Sequence, residues 1–311
     1  MPRDVVHFWI IGTDARLLRE RMCALRGLLG DREHEWKEEA VCTHVFVPAG
    51  DPVVEEIETF LREDLGLPHW KGTAERHWSA SERESASWHL VEWRLQQKGR
   101  AGLCYENRFD LSRACQVCLL GARYEECMRT DLKPNARRVL HQLLTNEWVV
   151  NERGRHAFVA EELDGAQYLP AVNERDGRLI RDVYLLQPLG VAPPAHPSSP
   201  IEHDPGCREC GLDGWGAFPN TQLRFVYGQL LPDDTDFLWT QEAIGGRGTS
   251  PSLLAYYKVG SRELLVSRRA YRVLRRLGVR GAVFTPVEFK VGPDVISEDA
   301  RPSGRTPPDR Q

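Results

Sequence analysis

Two Cys-x-x-Cys knuckles, Cys115-Gln116-Val117-Cys118 and Cys207-Arg208-Glu209-Cys210 followed by Gly211, stand about ninety residues apart in this chain. Each places two thiols on one tight turn, and a tetrahedral metal site draws on such turns in pairs. Four cysteine thiolates make a closed site with Zn–S bonds of ~2.3 Å and no position left for substrate. The gap constrains the fold more than the motif does. Zinc ribbons separate their knuckles by about 15–20 residues, so a metal held here would pin distant segments together instead of folding a short finger. A redox dithiol, isolated structural cysteines and two unrelated turns are the competing readings. Repetition of the spacing, with Gly211 placed for a tight turn, favours metal. Cys115, Cys118, Cys207 and Cys210 are therefore the expected ligands of a structural zinc ion.

The rest of the composition fits a reduced, aqueous setting. The amino terminus, MPRDVVHFWIIGTD, lacks a basic leader and a small-residue cleavage pattern, and no stretch approaches the ~20 apolar residues of a membrane span. A cytoplasmic location is expected, where paired cysteines hold metal more often than they form disulfides. Cys23, Cys42, Cys104 and Cys127 lack knuckle spacing and read as small buried residues, with Cys127 a substitute ligand in reserve. His203-Asp204 resembles a fragment of metal-hydrolase chemistry; without companion motifs it reads as solvent-exposed, with His203 a second substitute ligand. The net charge of −4 sets up no global field for nucleic acid.

Local patterns predict an α+β fold of mixed helices with antiparallel or mixed sheet, braced by the cysteines and ending in a strand–helix–strand unit. Val5–Ile11 and Val41–Pro48 read as strands, and Asp14 to Leu29 as a helix stopped by Gly30. Asp51-Pro52 starts another helix, with Val53, Ile57, Phe60 and Leu61 on its apolar stripe. Ser81-Glu82-Arg83-Glu84 fits a capping box for a helix carrying Trp88, Val91 and Leu95. Asn135–Trp148 reads as helix, and residues 156–187 as short strands with a hairpin at Asp176-Gly177. Residues 188–206 are a proline-rich connector that supplies no central strand and delivers the second knuckle back to the first. Leu223–Leu230, Phe237–Trp239, Leu253–Val259 and Gly281–Phe289 read as strands. Ser267 caps a helix from Arg268 to Leu277 that Gly278 stops. The expected divisions are 1–112, an N-terminal α/β region; 113–220, the double-knuckle region; 221–291, a C-terminal α+β region; and 292–311, a disordered tail.

Catalytic motifs are missing. There is no G-x-S-x-G elbow, no HExxH helix and no phosphate loop, and Gly245–Gly248 lacks the lysine that such a loop needs. Five arginines, Arg268, Arg269, Arg272, Arg275 and Arg276, crowd one short helix. An exposed polar face explains them, and docking of an acidic partner is the alternative.

The knuckle pair, its spacing and the ending Leu264-Leu265-Val266-Ser267, Gly278-Val279-Arg280-Gly281, Phe284-Thr285-Pro286-Val287 carry a resemblance. Over about residues 100 to 290 the chain resembles the myxobacterial double-CXXCG motif family of immunity proteins, which protect a cell from a cognate polymorphic toxin delivered by kin. It departs from the pattern once: Cys118 is followed by Leu-Leu-Gly, not directly by glycine. The resemblance implies a cytoplasmic, non-enzymatic inhibitor that binds its toxin stoichiometrically, with zinc as a structural brace. Two other classes compete with it: a zinc-braced nucleic-acid-binding regulator, and an enzyme with a site assembled from scattered residues.

Overall fold

The computed structural model of the chain describes residues 3–11, 23–30, 34–38, 42–63, 73–93, 99–102, 105–133, 138–203, 207, 209–216, 223–244 and 261–290. The fold is α+β, with short helices laid on antiparallel and mixed sheets.

The first sheet is antiparallel. Strands β1 (Arg3–Ile11), β2 (Glu35–Glu38), β3 (Cys42–Pro48) and β4 (Thr73–His77) run in the order β2-β3-β1-β4. Helices α1 (23–29) and α2 (Val53–Glu63) accompany it. The Asp51 carboxylate accepts the Val53 N–H at 2.9 Å, which satisfies one of the orphan donors of the α2 amino terminus. Val53, Ile57 and Leu61 fall on one face at helical spacing and pack with Leu25, Leu29, Phe8, Val45 and Val47. Beyond these, the sheet contains two strands not expected from sequence, β2 and β4.

The capping box lies two residues earlier than expected. Ser79 caps α3 (Ala80–Ser85) by accepting the Glu82 N–H, while the Glu82 carboxylate accepts the Ser79 N–H at 2.8 Å. This helix buries nothing and ends at Ala86, where the backbone turns extended. Trp88 and Val91, expected on the helix, instead lie on strand β5 (Trp88–Trp93), whose residues 88–91 are all buried. A strand covered on both faces has no period-two alternation to give it away.

Strands β6 (Phe109–Asp110) and β7 (Arg123–Tyr124) pair across the first knuckle. Strands β8 (Met128–Thr130), β9 (Leu140–Gln142), β10 (Trp148–Asn151), β11 (Ala166–Asn173) and β12 (Leu179–Pro188) then form a sheet in the order β8-β11-β12-β10-β9. The helix expected over Asn135–Trp148 is, in its described part, a hairpin of β9 and β10. Asn146 supplies its turn in the left-handed region at φ 72°, a conformation that asparagine tolerates. Leu140, Leu143 and Trp148 satisfy either pattern, and buried pairing of both strands decides it. A second correction follows immediately. The segment that opens the predicted run of short strands carries helix α4 (Glu152–Ala160), capped by Asn151 accepting the Gly154 N–H at 2.9 Å. The Asp176-Gly177 hairpin forms between β11 and β12, but only Gly177 takes a positive φ, so the turn is not type I′.

The largest sheet gathers distant segments. Its strands are β13 (Gly190–Val191), β14 (Glu202–His203), β15 (Asp213–Gly216), β17 (Phe237–Ile244), β18 (Ser261–Ser267), β5 and β19 (Ala282–Pro286). They run β14-β15-β17-β18-β5-β19, with β13 also paired to β17. Strands β16 (Val226–Tyr227) and β20 (Glu288–Phe289) form a small parallel pair. Helix α5 (Arg268–Arg276) bridges β18 and β19, capped by Ser267 and followed by Gly278 at φ 70°. The central core joins the two large sheets and both nearby helices through Trp148, Phe158, Leu186, Phe237, Leu264 and Tyr271. The predicted strand over Leu253–Val259, the loop at Gly245–Gly248 and the tail from 292 lie outside the described residues.

Glu263 on β18 sits beside Glu92 of β5, and burial together with that neighbouring charge pushes its carboxyl up to about 8. Thr285 donates to Glu92 at 2.9 Å. The unfolded chain releases the Glu263 proton near ~4.3, whereas the folded chain keeps it to about 8. Glu263 therefore contributes stability that is present at low pH and lost as pH rises through this window. Relative to the parent, Glu263→Gln should become progressively more favourable from about pH 5 to pH 8 in denaturant titrations. A difference independent of pH would contradict the assignment.

Candidate metal centre

The two knuckles share one backbone design. In the first, the Leu119 N–H donates to the Cys115 carbonyl at 2.8 Å; in the second, the Gly211 N–H donates to the Cys207 carbonyl at 2.9 Å. The residue after each Cys-x-x-Cys is left-handed, Leu119 at φ 59° and Gly211 at φ 63°. The sequence departure at the first knuckle is thus absorbed by strain: a leucine occupies the conformation that glycine adopts freely, at a cost of about 1–2 kcal/mol. Gly121, two residues on, has φ 96°, and a Cβ there would stand 2.8 Å from the Arg113 carbonyl. That close approach folds the loop over itself and requires glycine.

The second knuckle lies against the first, as expected from reading residues 188–206 as a strap between them; residues 204–206 lie outside the described residues. Cys115 Sγ lies 3.7 Å from Cys207 Sγ, and Cys118 Sγ lies 3.5 Å from Cys210 Sγ. All four sulfurs fall within 4.8 Å of one another. A tetrahedron with ~2.3 Å metal–sulfur bonds has sulfur–sulfur edges of about 3.8 Å. The two cross-knuckle edges match this, and the widest separation is looser. Disulfides, at about 2.05 Å, are excluded by the same distances, and the four thiols are free.

The cluster is partly enclosed. Cys118 and Cys207 are buried, while Cys115 and Cys210 are half-buried, and Leu120, Leu212 and Ala243 pack around them. The Ala243 N–H donates to the Leu212 carbonyl at 3.0 Å, so β17 anchors the second knuckle directly. Burial pushes the Cys118 and Cys210 thiols up. Backbone N–H groups of Cys118 and Val117 directed at Cys115 hold its thiol down, to about 7. Such amides stabilise thiolate, the form in which cysteine binds metal. Arg262 on β18, largely desolvated, lies in the field of the Cys118 and Cys210 sulfurs. It brings positive charge towards a centre that would carry two net negative charges with a divalent ion, and no motif in the sequence marks it.

Other predicted residues stay outside this group. Cys127 is half-buried and does not join the four. His203 falls on β14, paired with Trp215 at the sheet edge. Cys23 is exposed, contrary to its expected burial; Cys104 lies outside the described residues. The arginine helix is less available than its sequence suggests. Arg268 donates to the Ala86 and Ser85 carbonyls, Arg269 to those of Glu161 and Glu162, and Arg276 pairs with Glu161.

Fold and site together define an α+β protein whose four clustered cysteines can hold a metal ion. No protein-family model and no curated protein sequence matches the chain.

A Cβ at Gly211 would meet nothing within 4 Å, so Gly211→Ala tests backbone conformation alone. It should destabilise the protein by about 1 kcal/mol in chemical denaturation, the left-handed cost less the entropy that glycine forfeits. Leu119→Gly relieves the matching strain and should be close to neutral, within about 1 kcal/mol. Equal losses in both variants would remove the conformational explanation.

Proposed function

We propose that this chain is an immunity protein that binds and neutralises a cognate polymorphic toxin, with Cys115, Cys118, Cys207 and Cys210 holding one structural zinc ion. One observation carries the metal assignment: four sulfurs from knuckles about ninety residues apart converge within 4.8 Å. An all-thiolate tetrahedral set suits zinc, and it leaves no coordination position for water or substrate. The ion's part is then to brace the fold, preorganising a binding surface instead of activating a nucleophile.

The immunity reading rests on the resemblance to the double-CXXCG family. The family-like ending coincides with β18, α5 and β19, so that similarity covers one structural unit. A zinc-braced nucleic-acid regulator would need free cations on α5. Three of its five arginines are instead engaged within the protein, leaving Arg272 and Arg275 as outward charges. This favours a protein partner.

Protein purified without chelator should contain about one zinc per chain by elemental analysis. Cys207→Ser should lose the metal and raise hydrogen exchange over residues 188–216 more than over β18, α5 and β19. Zinc-free native protein, or a uniform loss of protection, would count against the brace.

For the partner, gene neighbourhood comes first: a toxin gene is expected beside this one, and that toxin is the test. Co-expression should rescue growth in proportion to dose, and the two chains should co-purify in equimolar amounts. Rescue at strongly substoichiometric amounts, with the toxin chemically altered, would overturn inhibition by binding. Arg272→Glu with Arg275→Glu probes the exposed part of α5 without touching its internal contacts. It should weaken capture if the toxin face there is acidic.

A further inference from the structure

A cavity of about 540 Å³ opens where the first knuckle loop meets the two large sheets. That volume lies well inside the range of sites that hold small organic ligands. Its lining is unbalanced in charge: Arg113, Arg123 and Arg262 face a single carboxylate, Glu147. Glu147 is already engaged, accepting the Tyr124 hydroxyl at 2.8 Å and the Thr145 hydroxyl. None of the three arginines makes an ion pair among the described residues.

Their surroundings differ. Arg262 is offset from the far side by Cys118, Cys210 and Glu242. Arg123 donates to the Leu189 carbonyl, and it repels Arg262. Asp110, on the outer surface, lies in the field of Arg113 and Arg123 but pairs with neither. Arg113 and Arg123 thus line the cavity with no carboxylate in ion-pair contact among the described residues, Asp110 acting on them only at longer range, and guanidinium geometry is suited to carboxylate and phosphate. The remaining lining mixes polar side chains, among them Asn146, Gln187 and Gln241, with apolar ones that include Phe109 and Trp239. Leu189 and Val191, which also line the cavity, are partly open to solvent.

We propose that this cavity is a binding site for a small organic acid, its carboxylate or phosphate held by Arg123 and Arg113 and its flat apolar body set against Phe109 and Trp239. Leu120 and Leu212, which pack around the cysteine cluster, also line it. The two knuckles therefore contribute part of its wall, although the site is independent of any toxin.

The test uses the full-length protein in its as-purified metal state. Saturation-transfer NMR would screen aromatic acids against neutral counterparts: benzoate with benzamide, indoleacetate with indoleacetamide, and adenosine monophosphate with adenosine. At least one acid should bind while its neutral counterpart does not. Arg123→Gln should weaken that acid by about tenfold or more. Val191→Trp, a surface change that fills the mouth, should abolish binding in a protein with unchanged circular dichroism. Acids that bind no better than their neutral partners, or binding indifferent to both substitutions, would overturn the proposal. So would the absence of binding by every acid at millimolar concentration.

Discussion

The approach of Cys115 to Cys207 and of Cys118 to Cys210 is the long-range contact that places the connector and the two knuckle loops. Each approach joins residues 92 positions apart. Strands β8 to β12 and helix α4 all lie within the loop so closed, so the five-stranded sheet is folded between the two ends of one tie. Loop-closure entropy rises only slowly with length, and a metal ion bound by all four cysteines would restrict the unfolded chain across about ninety residues by several kcal/mol in the chain-entropy picture. The central core is fully apolar through Trp148, Phe158, Phe237 and Leu264, so the fold does not rest on this tie alone. What the tie fixes is the placing of the connector and of the first knuckle loop.

The parts legible in the sequence are those with local chemistry of their own. Asp51-Pro52, Ser267 with Gly278, and Asp176-Gly177 each act through backbone groups a few residues away, and each lies where a helix or hairpin begins or ends. The cysteine spacing was legible for the same reason. Segments whose state depends on distant partners were not. Trp88–Trp93 reads as part of an amphipathic helix until β18 and β19 flank it. Leu140, Leu143 and Trp148 fit a helix until both strands of their hairpin are buried. Helix α4 failed in the opposite direction: it buries only Gly154 and Phe158, too thin a stripe to register as periodicity.

Charge shows the same split between pattern and context. The α5 arginines form a conspicuous cluster in sequence, yet the fold turns Arg268 and Arg269 into donors for backbone carbonyls of α3 and of the turn after α4. They serve as caps for carbonyls that would otherwise be unpaired. Arg262 and Arg123, isolated in sequence, are the cations that the fold brings into each other's field beside the cysteine cluster. Arg262 sits between Ser261 and Glu263 at the polar start of β18 and attracts no notice in sequence; its place beside the cysteines appears only once the knuckles meet.

The connector has one more consequence, at the edge of β17. This eight-residue strand pairs with β18 on one side; on the other, among the described residues, it is met only by short parallel contacts from β13 and β15. Both lie in the stretch 188–216 that carries the second knuckle. Without that cover, β17 would present a nearly continuous row of unpaired amides and carbonyls on a strand with the apolar sequence Phe237-Leu238-Trp239. Open edges of this kind recruit strands from other molecules. A metal ion held by the four cysteines would keep β13 and β15 against β17 and so keep this edge covered against strands of other molecules.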